Sequence, residues 1–112
     1  MSGPTSNAST PERRAAIARD LATRLADIVG RDDYESANWW RMLMSIHDVL
    51  SETDSPATER LSAAAQILRN MYYGGRNFSD FYVYRGDLDT TIAENARLSA
   101  IMKELSNTLN AD

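Results

Sequence analysis

The sequence predicts an all-α fold, a single-domain bundle of about four helices. Four apolar stripes recur at helical spacing, and each is bounded by residues that start or stop helices. Only Phe81 to Tyr84 has the β-prone, alternating character of a strand. A chain of 112 residues has room for one core, burying roughly two-thirds of its unfolded surface.

Each element follows from local chemistry. Thr10, Pro11 and Glu12 supply an N-cap, a proline suited to the first helical position and an acid for the first turn. Ile17, Leu21, Leu25, Ile28 and Val29 then form a stripe, and Gly30 offers a left-handed stop, so the first helix is expected over residues 11–29. After the polar turn GRDDYES, Ser36 is the expected cap of a second helix over about residues 37–51. Its stripe is Trp39, Leu43, Ile46 and Leu50, widened by Trp40, Met42 and Val49. In SETDSPATE, Asp54 or Ser55 can cap a third helix with Pro56 as its first residue and Ala57, Leu61, Ala64, Ala65, Leu68 and Tyr72 as its apolar face. The Gly74-Gly75 pair stops it, because glycine carries no steric penalty at positive φ. Asp87 or Asp89 can cap a fourth helix over about residues 89–109, with Ile92, Leu98, Ile101, Met102, Leu105 and Leu109 as its stripe.

Composition narrows the function. No apolar run approaches the roughly 20 residues a membrane helix needs. Residues 1–9 lack the basic start and apolar centre of a secretory signal and are expected to form a disordered tail, with residues 10–112 as the helical domain. The absence of cysteine excludes disulfides and thiolate metal sites and fits a cytoplasmic location. A net charge of -4 argues against nucleic acid as the partner, since phosphates require clustered cations. In and just after the first helix, Arg13, Arg14, Arg19, Arg24 and Arg31 interleave with Glu12, Asp20 and Asp27, with Asp32 and Asp33 beyond, the pattern of a mixed, solvated face.

The stretch YYGGRNFSDFYVYRGD, residues 72–87, concentrates three of the five glycines and six of the nine aromatic residues. It follows a helix and lacks the Lys-Ser or Lys-Thr of a phosphate-binding P-loop. On a structural account, Gly74 and Gly75 are expected to cap the third helix, Asn77 and Asp80 can bond the backbone in a turn, and Phe78 with Phe81 can plug the end of the bundle. An extended Tyr82-Val83-Tyr84 would place the two tyrosines opposite Val83. It could be covered by the bundle, pair with a second copy to give a homo-oligomer, or accept a partner strand.

The run Tyr73-Gly74-Gly75-Arg76-Asn77-Phe78-Ser79-Asp80-Phe81 resembles the YGGMGSFNDL signature of a small uncharacterised bacterial protein family, and NWWRML (Asn38 to Leu43) is similar to that family's tryptophan-containing helix. The likeness spans about residues 17–109. This chain is one residue shorter between Gly75 and Phe78, with Arg76 in place of Met and Ser79 in place of Asn. The resemblance implies no catalytic residues; members resemble compact helical proteins encoded beside bacterial toxins, which implies an immunity-like role.

Nothing in the residues marks an enzyme. His47, the sole histidine, sits at the edge of an apolar stripe, and no H-x-x-x-H, G-x-S-x-G or S-x-x-K arrangement occurs. Asp32-Asp33 and Asp87 with Asp89 sit where helix caps belong. No catalytic site, metal site or cofactor is expected. The expected function is a non-enzymatic protein-binding module, an immunity-like or inhibitor protein that occludes a partner protein, with Tyr73, Arg76, Tyr82, Tyr84 and Arg85 at the contact. The alternative is a small-ligand binder in which Tyr72, Tyr73, Tyr82 and Tyr84 stack on a nucleotide-like ring while Arg76 and Arg85 hold its phosphates.

Overall fold

A computed structural model describes residues 10–75 and 77–110. The chain is all-α, with helices α1 (Pro11–Val29), α2 (Tyr34–Leu50), α3 (Ala57–Met71) and α4 (Leu88–Asn110), and a 3-10 turn at Phe78–Asp80 between the last two. The expected disordered tail lies outside the described residues. So does Arg76.

Helix starts are set by short polar side chains. The Thr10 hydroxyl accepts from the Arg13 N–H, as expected. α2 begins three residues earlier than the stripe suggested, because the Asp33 carboxylate, not Ser36, is its cap; it accepts from the Ser36 N–H at 2.8 Å, and Ser36 itself is buried. Pro56 occupies the cap position of α3 and neither Asp54 nor Ser55 caps it, so that start has no side-chain hydrogen bond. α4 starts at Leu88, with the Asp87 carboxylate accepting from the Thr90 N–H at 2.9 Å.

The core draws on all four helices. Leu21 and Leu25 of α1, Leu43, Ile46 and Leu50 of α2, Met71 of α3 and Leu105 of α4 are almost fully enclosed. α1 and α3 each touch all three other helices. Their buried faces carry Ala15, Ala18, Ala22 and Ala26 on one and Ala57, Ala64 and Ala65 on the other, small side chains that permit close approach. Three expected stripe residues stay outside: Ile17 at 38%, Tyr72 at 43% and Ile92 at 57% exposure. Each has a neighbour in the core instead, Ala18 for Ile17, Met71 for Tyr72 and Thr91 for Ile92.

Three arginines tie helix ends together. Arg60, buried in α3, donates to the Leu50 carbonyl at the end of α2 and to the Ser55 carbonyl, both at 2.9 Å, and its outer nitrogen meets both carboxylate oxygens of Glu12 in the first turn of α1. Arg14 donates to the Thr108 and Leu109 carbonyls in the last turn of α4. Arg14 is therefore not part of a purely solvated face. Arg85 donates to the Ile28 carbonyl in the last turn of α1. A helix leaves its last four carbonyls without intrahelical donors, and cations are favoured there. These contacts also fix direction: α1 and α3 start at one end of the bundle, and α2 and α4 start at the other.

Candidate functional site

The end where α2 and α4 begin is built around Phe78. The Asn77 side chain accepts from the Ser79 N–H, and the Asp80 carboxylate accepts from the Asn77 N–H, closing a capping box around the 3-10 turn. That turn directs Phe78 inward to 5% exposure. Its ring stacks on Phe81 with centroids 5.4 Å apart and meets Trp39 at 5.3 Å and Tyr72 at 5.9 Å edge to face. The buried Trp39 Nε1 has no hydrogen-bond partner among the described residues, a cost of about 1–3 kcal/mol. Gly74 has φ of 96° and supplies the left-handed bend after α3. Gly75 does not have positive φ, so one glycine of the pair makes the turn.

Tyr82-Val83-Tyr84 follows the extended Phe81 (φ -75°, ψ 144°), alternates exposed and buried side chains as an extended segment does, and pairs with no strand among the described residues. Val83 is buried at 4% exposure, with Tyr82 at 59% and Tyr84 at 73% on either side of it. The segment is held by α4: the Val83 N–H donates to the Asn95 side-chain oxygen at 3.0 Å, and the Asn95 amide donates to the Val83 carbonyl at 2.8 Å. One turn earlier, the Thr91 hydroxyl accepts from the Arg85 N–H at 2.9 Å. Thr91, Asn95, Leu98 and Met102 share one face of α4 by their spacing. An Asn and a Thr in line with an apolar stripe is the one local sign that this face holds backbone, and the sequence reading passed over it.

The expected site residues separate into two groups. Tyr73, Tyr82 and Tyr84 are solvent-facing. The Arg85 guanidinium is turned inward onto the Ile28 carbonyl and lies 3.4 Å from the Glu94 carboxylate. Arg85 is thereby committed to the fold, which leaves the phosphate-clamp arrangement without one of its two cations. Asp80 and Asn77 order the turn, as their hydrogen bonds show.

All five tyrosines lie at this end. Of the eight large apolar or aromatic side chains exposed among the described residues, seven are here: Tyr34, Tyr72, Tyr73, Tyr82, Tyr84, Leu88 and Ile92; Ile17 is the exception. The backbone N–H of Thr90 holds the Asp87 carboxyl below its ordinary value of 3.8, so that cap is ionised through the neutral range. Burial pushes the Tyr72 phenol above its ordinary value of 10.0, so it stays neutral. On the side of this end, a groove of about 550 Å³ runs between the turn and α4, with Tyr72, Phe78, Phe81, Leu98 and Met102 among its walls and Lys103 on its polar rim.

His47 is half-buried on α2 with Nδ1 at 3.1 Å from the Asp48 carboxylate. Among the described residues no group of three or more His, Cys, Asp or Glu side chains could hold a metal ion, and no helix is long and apolar enough to cross a membrane. No protein-family model, curated protein or solved structure matches the chain.

Proposed function

We propose that this protein is a non-enzymatic protein-binding module, an immunity-like or inhibitor protein that occludes a partner protein, and that it meets the partner with its tyrosine end. The observation that carries this reading is the segregation of exposed apolar and aromatic side chains, seven of eight among the described residues at one end. Exposed hydrophobic residues scattered singly are ordinary, whereas a concentration of them marks a contact surface. Tyrosine is a residue type enriched at binding hot spots, with a large rigid ring and a polar tip. The Phe78 plug and the Asn95 clasp hold the tyrosine-bearing backbone in place before binding, which lowers the ordering cost of association. The likeness of Tyr73–Phe81 to the YGGMGSFNDL signature points the same way.

The small-ligand alternative is weakened by Arg85, whose guanidinium already has partners. The test is to replace Tyr82 and Tyr84 together by alanine and to measure affinity for the partner that co-purifies from the native cell. Loss of about tenfold or more is expected, in the range of interface hot spots, with stability unchanged to within about 0.5 kcal/mol because both rings are exposed. Full affinity in the double variant would move the contact elsewhere. Tight binding of a nucleotide by the purified protein would favour the alternative.

A further inference from the structure

We infer that the Tyr82–Tyr84 segment is an open strand edge, and that the partner docks by laying a basic, extended segment along it. The inference rests on the tyrosine end being a protein-contact surface and specifies how that contact is made.

The backbone directions are fixed by hydrogen bonds already described. Both the N–H and the C=O of Val83 face α4, where the single side-chain amide of Asn95 takes the two positions a neighbouring strand would fill. The Arg85 N–H, two residues on, faces the same way toward Thr91. In an extended chain the backbone groups of successive residues point to opposite edges. The N–H and C=O groups of Tyr82 and Tyr84 therefore point away from α4. None of these four groups has a hydrogen-bond partner among the described residues. One edge of the segment is closed by the helix, and the other presents the row of donors and acceptors to which an added strand binds.

Charge selects the occupant. Asp80 precedes this segment by two residues and Asp87 and Asp89 follow it closely in the chain; none of the three forms an ion pair among the described residues, while Arg85 is directed inward. A second copy of the chain pairing edge to edge would bring these carboxylates against their own kind. A segment carrying Lys or Arg meets opposite charge, and its cations can lie over the Tyr82 and Tyr84 rings.

The test is amide exchange measured by NMR on the full chain at millimolar concentrations of a short peptide of alternating valine and arginine. Two comparison peptides are used, one with glutamate in place of arginine and one N-methylated along its backbone. The expected result is about tenfold slower exchange at the Tyr82 and Tyr84 amides with the arginine peptide alone, and no change at the Val83 and Arg85 amides. Tyr82→Pro removes one outward N–H and suits the preceding backbone, since Phe81 already has ψ of 144°; it should lose the protection that Tyr82→Ala retains at Tyr84. Shifts of tyrosine side-chain signals without slower amide exchange, or equal binding of the N-methylated peptide, would overturn strand addition and leave the contact surface standing. Equal binding of the glutamate peptide would overturn the basic partner. No response at this end to any peptide would overturn the inference, whereas the proposed function stands or falls separately on the Tyr82 and Tyr84 double variant against the co-purified partner.

Discussion

Where α1 and α3 begin, Arg60 and Arg14 reach across the bundle to the carbonyls of Leu50, Thr108 and Leu109, and the tyrosines are absent. Where α2 and α4 begin, Arg85 satisfies the Ile28 carbonyl, but the closure is completed by stacked rings and a backbone segment clasped by Asn95, with tyrosines left outside. Both ends must satisfy the same orphan groups of helix termini. The first does so mainly with cations turned inward. The second adds aromatic packing, and it keeps unpaired backbone and exposed rings facing out. Closing an end does not require that surplus, and the contrast is the basis on which we propose the second end as the contact surface.

The comparison can be broken most severely at the plug. Phe78→Ala should cost about 3–5 kcal/mol, the range for removing a buried aromatic side chain, and denaturant unfolding would show it; a loss under about 1 kcal/mol would mean the ring plug does not close its end. Arg60→Ala should cost less, about 2–3 kcal/mol, because it leaves the buried Leu50 carbonyl and the Ser55 carbonyl without their donor. The ion pair itself contributes little of this, since Glu12 is 76% exposed. If Arg60→Ala proved harmless, the cationic end would be closed by packing alone.

A finer distinction lies within the turn. Gly74→Ala should destabilise by about 1–2 kcal/mol because its φ is 96°, whereas a Cβ at Gly75 meets nothing within 4 Å and Gly75→Ala should be nearly neutral. Equal effects at both positions would place the bend elsewhere. The smallest effect is expected from the Asp87 cap. Its carboxyl is held below the ordinary 3.8 by the Thr90 N–H, so its contribution is present above that value and is lost as pH falls through the lower, folded-state value. Asp87→Asn should flatten that part of the acid limb of a melting-temperature profile and leave the neutral range little changed.

Helix identity was legible because local chemistry decides it: Thr10 with Pro11, Gly30 and Asp87 act on their immediate neighbours. The start of α2 was misplaced because both Asp33 and Ser36 are good caps, and the stripe alone does not choose between them. The arginine contacts were illegible for a different reason. Arg14 bonds a carbonyl 94 positions away and Arg85 one 57 positions away, and no local pattern distinguishes such an arginine from a solvated one. In the site, the outward tyrosines follow from alternation around Val83, a pattern visible in the letters. The engagement of Arg85 and the clasp by Asn95 depend on which helix lies alongside, and that is set by tertiary packing.

The Arg14 bond to the last turn of α4 has a consequence for chain connectivity. It brings the start of the first helix and the end of the last within one side chain's reach, so the four helices close into a ring. A short flexible linker between those two points, with new ends opened at the exposed Thr53 and Asp54, would give a circular permutant that reads α3, α4, α1, α2 along the chain. Exposed turns of this kind are where permutation is tolerated. Such a chain keeps every helix contact, the Phe78 plug and the outward edge of Tyr82–Tyr84, and places both new ends on the face of the bundle opposite the tyrosines.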